Sequence, residues 1–322
     1  MSALTSIMVV MSERRATPAL HRAEAYARRS GAALHLCLFD YYAPIDYAKG
    51  IFGREVADRA RRDFIDERMR WLAEQAKGLA SQGLEVDCDV IWAAGGYKAV
   101  IGKILELKPG LVIKDIACDP YVAATLHPSG SDWKLIRLSP FRLMLVHPKS
   151  KVLPQRVLAA VDVSVAGEAR GLNVRVLEAA RNCAELSGAE ADVASVFSYV
   201  PAAVEGTDLI ADAYERMNAA HQEALEKFAA ANHIDAGHVL RRNAFDAAEG
   251  IALCAQECGA DLVVLGSAYH SGLDRLMFGT TAEALLRKLA CDVLLIKPAG
   301  FLDELARHVE LPQLKEAKEE KE

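Results

Sequence analysis

The feature that most constrains this chain is a repeat. Residues 111–148 read "LVIKDIACDPYVAATLHPSGSDWKLIRLSPFRLMLVHP", and residues 262–298 read "LVVLGSAYHSGLDRLMFGTTAEALLRKLACDVLLIKP". Their last eighteen residues align without a gap at an offset of 150. The beginnings match as well, "SIMVVMS" opening one copy and "RVLAAVDVS" the other. A period this long is a duplicated domain, not a stack of short repeats. The spacing predicts a domain over 1–150, a second over 151–302, and a charged tail over 303–322, with the boundary in the polar, proline-bearing "HPKSKVLPQ". The tail's end, "PQLKEAKEEKE", mixes charges without apolar spacing and reads as disordered.

Each copy alternates short apolar runs with helical patterns. In the first copy strands are expected at Ile7–Met11, Ala33–Phe39, Leu84–Ile91, Leu111–Lys114 and Phe141–His147. A long charged helix at Arg54–Ser81 carries Ala57, Ala60, Phe64, Ile65, Trp71, Leu72 and Leu79 on one stripe. In the second copy strands are expected at Val157–Val161, Ala191–Phe197, His238–Leu240, Leu262–Leu265 and Val293–Ile296. Helices are expected at Asn173–Leu186, Asp212–Ala230, Ala247–Glu257 and Thr281–Leu289. The runs are rich in Val, Ile and Leu and continuous rather than alternating, as strands buried on both faces must be. The fold class is therefore α/β, two tandem five-stranded parallel open sheets with helices on both faces.

Bulk properties narrow the function. The net charge of −6 argues against a generic grip on nucleic acid or anionic membrane. No window has the length of a membrane span, and "MSALTSIMVVMSERR" is too short in apolar residues for a signal peptide, so a cytoplasmic protein is expected. The seven cysteines are odd in number and include no Cys-x-x-Cys pair; they read as small buried hydrophobes kept reduced. The histidines show no ligand spacing, and no metal site is expected.

Ligands of open parallel sheets sit at the carboxyl ends of the strands where the strand order reverses, here after the first and fourth strands of each copy. No Gly-x-Gly-x-x-Gly follows either first strand, and no Walker loop, Gly-x-Ser-x-Gly or His-Glu-x-x-His occurs. The stretch "VVLGSAYHSGLDRLMFGTTAEALLRK" stands out instead. Gly266 ends a strand where a missing Cβ lets a ligand or the next turn come close. Gly279, Thr280 and Thr281 lead into a helix, and Thr280 with Glu283 has the spacing of a capping box. The same helix start offers free amides to an anion. Spacing alone leaves cap and phosphate site both open. Arg275 and His270, in the same loop, read as solvated loop residues. Asp162, after the first strand of the second copy, reads equally as a turn former and as a ligand contact.

These residues resemble the universal stress protein family, whose signature is Gly-x2-Gly-x9-Gly-[Ser/Thr] after the fourth strand with an Asp after the first. The resemblance is to the tandem, two-domain type and covers essentially the whole chain. It implies that Ala160, Val161 and Asp162 hold the adenosine end of a nucleotide, that Val196 lines the base pocket, and that Leu265, Gly266, Gly279, Thr280 and Thr281 wrap ribose and phosphates. Tyr269 stands where the family has its second glycine, with Gly272 three residues on to supply flexibility. In the first copy Ser12 replaces the Asp and Asp115 stands in the place of Gly266, so no nucleotide is expected there. The resemblance further implies pairing of the two domains through Phe141–Val146 and Val293–Ile296, with room for a homodimer besides.

The expectation is thus a cytosolic stress-response protein that binds a small ligand, ATP among the candidates, in its second domain. It supports survival under stress, DNA damage included, without obligatory catalysis, since no positioned base or activated nucleophile accompanies the loop. The alternatives are a scaffold or interaction module with no nucleotide, or a binder of a more apolar ligand. Direct contact with nucleic acid or membrane is not expected.

Overall fold

A computed structural model describes residues 4–118, 125–164, 171–198, 208–267 and 280–308. Tyr269, Gly272 and Gly279, and the disordered end expected for the tail, lie outside the described residues. The chain falls into two compact units. The first draws on Met1–Ile116, Pro128–Val152 and Asp303–Glu322, the second on Ala117–His127 and Leu153–Leu302. The first unit thus lacks the stretch after its own fourth strand, which clusters with the second.

In the first unit the strands are β1 (Ser6–Met11), β2 (Ala33–Asp40), β3 (Val86–Trp92), β4 (Leu111–Asp115) and β5 (Leu143–Val146). They pair in the order β3-β2-β1-β4-β5, all parallel. The order reverses between β1 and β4. The connecting helices are α1 (Pro18–Ser30), α2 (Ala43–Phe52), α3 (Arg54–Ala80), α4 (Tyr97–Leu107) and α5 (Gly130–Leu138). Strands β1 and β5 are almost wholly buried, which their unbroken apolar runs require. On α3 the expected stripe is only partly sunk: Ala57, Leu72, Ala76 and Leu79 are buried. Helix α2 was not expected, because none of its residues is buried and no apolar stripe marks a core-facing side. It lies against α3. Arg22 of α1 is buried and donates from Nη2 to the Lys151 carbonyl at 2.7 Å and from Nε to the Val152 carbonyl at 2.5 Å. A guanidinium so placed fixes the chain just before the second copy begins.

The second unit repeats the plan. Its strands are β6 (Arg156–Ala160), β7 (Glu190–Ser198), β8 (Val239–Ala244), β9 (Leu262–Gly266) and β10 (Asp292–Ile296). They pair in parallel in the order β8-β7-β6-β9-β10, so the reversal lies between β6 and β9. Its helices are α6 (Leu172–Ser187), α7 (Asp208–Ala231), α8 (Ala247–Cys258) and α9 (Thr280–Leu286); α10 (Phe301–His308) has its first two residues in this unit and the rest in the first. Helix α9 ends at Leu286, three residues short of the expected Leu289, and α10 turns the first residues of the expected tail into helix. Side chains alternate across a strand. Ser195 of β7 meets His221 of α7, while Val196 packs against Gly250 of α8, so these two helices cover opposite faces.

Candidate functional site

The candidate site is the carboxyl rim of the second unit, where β6 and β9 lie side by side. Ala160, at the end of β6, pairs with Leu265 of β9 and with Ala194 of β7. Val161 continues the ladder, its N–H donating to the Ala194 carbonyl at 2.9 Å. Ala160, Val161 and Leu265 are buried, so they form the floor of the rim.

Asp162 is the first exposed residue beyond that floor. Its Oδ1 accepts the Ser164 N–H at 3.0 Å, a local turn bond. Its peptide is held by a side chain the sequence reading passed over. Asn173, buried near the start of α6, accepts the Asp162 N–H at 3.0 Å and donates from Nδ2 to the Asp162 carbonyl at 2.6 Å. One amide side chain therefore satisfies both backbone groups at the end of β6. The available signal was an Asn at a helix start, which reads more simply as a cap for its own helix.

Gly266 proves to be a packing glycine. A Cβ there would lie 2.7 Å from Cδ2 of Leu172 and 2.8 Å from its Cγ. The space opened by the missing side chain is filled by α6. Next to it, Ser267 donates its N–H to the Ile296 carbonyl at 2.8 Å, and its hydroxyl accepts from Lys297 Nζ at 3.0 Å. Lys297 is buried, with Nζ 4.8 Å from the Phe301 ring centre, and burial pulls its ammonium down to about 7.

Thr280 and Thr281 are exposed at the start of α9. The described part of α9 starts at Thr280, with Gly279 outside the described residues. Glu283 in this first turn lies 3.7 Å from Arg287 one turn on. Val196, expected in a base pocket, faces α8: a Cβ on Gly250 would lie 2.7 Å from Val196 Cγ1. The neighbours Ser195 and Phe197 face the other side, that of α7. Among the described residues no group of three or more His, Cys, Asp or Glu is placed to hold a metal ion. Cys254 and Cys258 are free thiols, both pushed up chiefly by burial, as befits packing rather than reactivity.

The equivalent rim of the first unit is filled by its own carboxylates. Asp115, in the place of Gly266, accepts the Ala19 N–H at the start of α1 at 2.9 Å. Thr17 caps the same helix, accepting from Leu20 at 3.4 Å. Ser129 and Asp132 form a complete capping box on α5: Ser129 Oγ accepts the Asp132 N–H at 3.2 Å, and Asp132 Oδ2 accepts the Ser129 N–H at 2.9 Å. Asp132 Oδ1 is ion-paired to Lys114 of β4 at 2.8 Å. Burial alone would raise the Asp132 carboxyl, but the Lys114 charge and the hydrogen bonds from Lys114 and Ser129 outweigh it and hold it below the usual range.

Residues 154–297 match the family described as the universal stress protein family. That match spans the second copy. Similarity extends over both copies. The universal stress protein E of Salmonella typhi is 26% identical over 303 residues, covering 91% of this chain and 93% of that protein. The universal stress protein E of Escherichia coli K12 is 25% identical, covering 88% and 90%. A solved Pseudomonas aeruginosa PAO1 protein, described as functionally unknown, is similar with a TM-score of 0.73 at 25% identity, over 94% of this chain and 96% of its own. A universal stress protein of Archaeoglobus fulgidus shares the fold with a TM-score of 0.57 at 16% identity. The chain thus shares the α/β architecture of these solved structures, and no helix among its described residues is long and apolar enough to cross a membrane.

Proposed function

We propose that this chain is a cytoplasmic stress-response protein that holds a small nucleotide-type ligand, ATP among the candidates, at the rim of its second unit. It acts by binding rather than by turnover. One observation carries the reading. Gly266 and Ala282 stand in the second unit where Asp115 and Asp132 fill the rim of the first, so the second rim lacks those two anion-repelling groups. Buried Ala160, Val161 and Leu265 supply an apolar floor, and Asp162, oriented by Asn173, supplies an acceptor at its edge. The family match supports a role in survival under stress, with DNA damage as one such stress. Titration of ATP into wild type and Gly279→Asp tests the ligand: binding by wild type and its loss in the variant are expected. Equal, undetectable binding by both removes the nucleotide reading.

A second reading, an interaction module without nucleotide, draws on the first unit. Tyr47, Ile51 and Phe52 of α2 are each about two-thirds or more exposed, at 74%, 73% and 67%. It becomes the better account if no nucleotide binds.

A further inference from the structure

One helix of the first unit spends ten residues on burying nothing. Helix α2 has no buried residue, yet it carries Ile45, Tyr47, Ile51 and Phe52. It joins α3 through Gly53, whose φ of 87° favours glycine. Val56 of α3, half exposed, continues the apolar surface one turn beyond Phe52. A soluble chain seldom groups such side chains in water without a partner for them.

Helical geometry sorts the residues of α2 by side, at about 3.6 residues per turn. Ile45 and Ala48, both half-buried, mark the side turned to α3. Tyr47 and Gly50 fall on the opposite side, which is open: a Cβ at Gly50 would meet nothing within 4 Å. Asp46 and Lys49 stand on one flank of this open side, Pro44 and Ile51 on the other, and all four are exposed. The Tyr41 hydroxyl donates to Asp46, which raises the tyrosine above its ordinary range and steadies the carboxylate. Among the described residues Lys49 has no ion pair.

The charges say what fits. With one acid and one base, α2 has no net charge to steer an acidic or a basic partner. It also lacks the cationic face that holds a helix on anionic lipid. What it has is a pattern complementary to itself, which a two-fold contact requires. In an antiparallel pair of helices each flank meets the same flank of the other copy in reverse order. We infer that two copies of this chain pair through α2, antiparallel, about a point between Tyr47 and Ala48. Such a pair sets Asp46 opposite Lys49 on one flank and Pro44 opposite Ile51 on the other, each twice. Each Tyr47 ring lies over the low ground left by Ala48 and Gly50. A parallel pair instead sets the charged flank against Pro44 and Ile51 and leaves both charges unmatched. The inference shares α2 with the interaction reading of the function and does not depend on a nucleotide at the second rim.

Sedimentation velocity of the full chain from roughly 1 to 100 μM tests it. A concentration-dependent shift from monomer to dimer is expected. Ile51→Asp is expected to weaken the dimer at least roughly tenfold, and its exposed position leaves the thermal midpoint unchanged. Lys49→Asp sets carboxylate against carboxylate, and Asp46→Lys sets ammonium against ammonium, so each alone is expected to associate more weakly. An equimolar mixture of those two variants restores both pairs and is expected to recover the wild-type dimer. A dimer indifferent to all three substitutions forms through another surface and overturns the proposal. So does a mixture that associates no better than its components. A chain that stays monomeric throughout overturns it as well, and leaves the interaction reading to a different partner. Pelleting of that monomer with phosphatidylcholine–phosphatidylglycerol vesicles, lost in Ile51→Asp, would assign the face to lipid instead.

Discussion

The rims after β4 and β9 descend from one sequence and are lined by opposite chemistry. At the first, the chain itself meets backbone donors at two helix starts: Asp115 accepts from α1, and Ser129 with Asp132 caps α5, Lys114 being the counter-ion of Asp132. At the second, the matching residues are Gly266, Ala282 and Leu265, and the only cation nearby in the described rim is the buried Lys297. The difference teaches that a rim of this fold can be closed by the chain's own groups without leaving a hole. Carboxylates supplied by the chain can replace the guest's oxygens one for one, and the fold is kept.

The largest expected effect sharpens the contrast through pH. Lys297 titrates near 7 in the folded chain and near 10.5 when unfolded. Below pH 7 both states hold the proton; between 7 and 10.5 the unfolded state holds more, so stability rises with pH across that window. The gain is up to roughly 5 kcal/mol. Denaturant unfolding of the second unit from pH 6.5 to 9.5, followed by hydrogen exchange in β10, checks it. Lys297→Met is expected to flatten the curve, and an unchanged slope in that variant assigns the dependence elsewhere.

The next effect breaks the contrast from the other side. Asp132→Ala removes a cap and strands the Lys114 charge, with an expected loss of about 3 kcal/mol in the first unit. Adding Lys114→Leu copies the second unit's pair, Leu265 and Ala282, and is expected to restore more than half of the loss. Hydrogen exchange in α5 separates this from events in the second unit. Two losses that simply add would show that the pair is not coupled.

The smallest expected effect concerns the glycine. Gly266→Ala forces a methyl against Leu172, at an expected cost of about 2 kcal/mol. Thermal unfolding of the variant measures it. A neutral result would mean that α6 can step aside, reopening the place of Gly266 to a ligand.

Much of this architecture could be read from the residues, because strands buried on both faces leave unbroken apolar runs and the copy at offset 150 checks each one. What escaped has physical reasons. Helix α2 buries nothing, so it left no stripe to detect. Spacing does not say where a first turn starts, and the Ser129–Asp132 box was not singled out. Asn173 and the Ser195–His221 pair depend on contacts between residues 11 and 26 positions apart, which no local pattern records. Val196 and Phe197 are adjacent in sequence, and one step along a strand exchanges the faces they serve.

The Ser129–Asp132 box has a final implication for competition. An anion arriving from solution at the first rim must displace one that is already covalently attached and correctly aimed. A tethered rival of this kind acts at a high effective molarity, and the first copy meets these two donors with its own side chains.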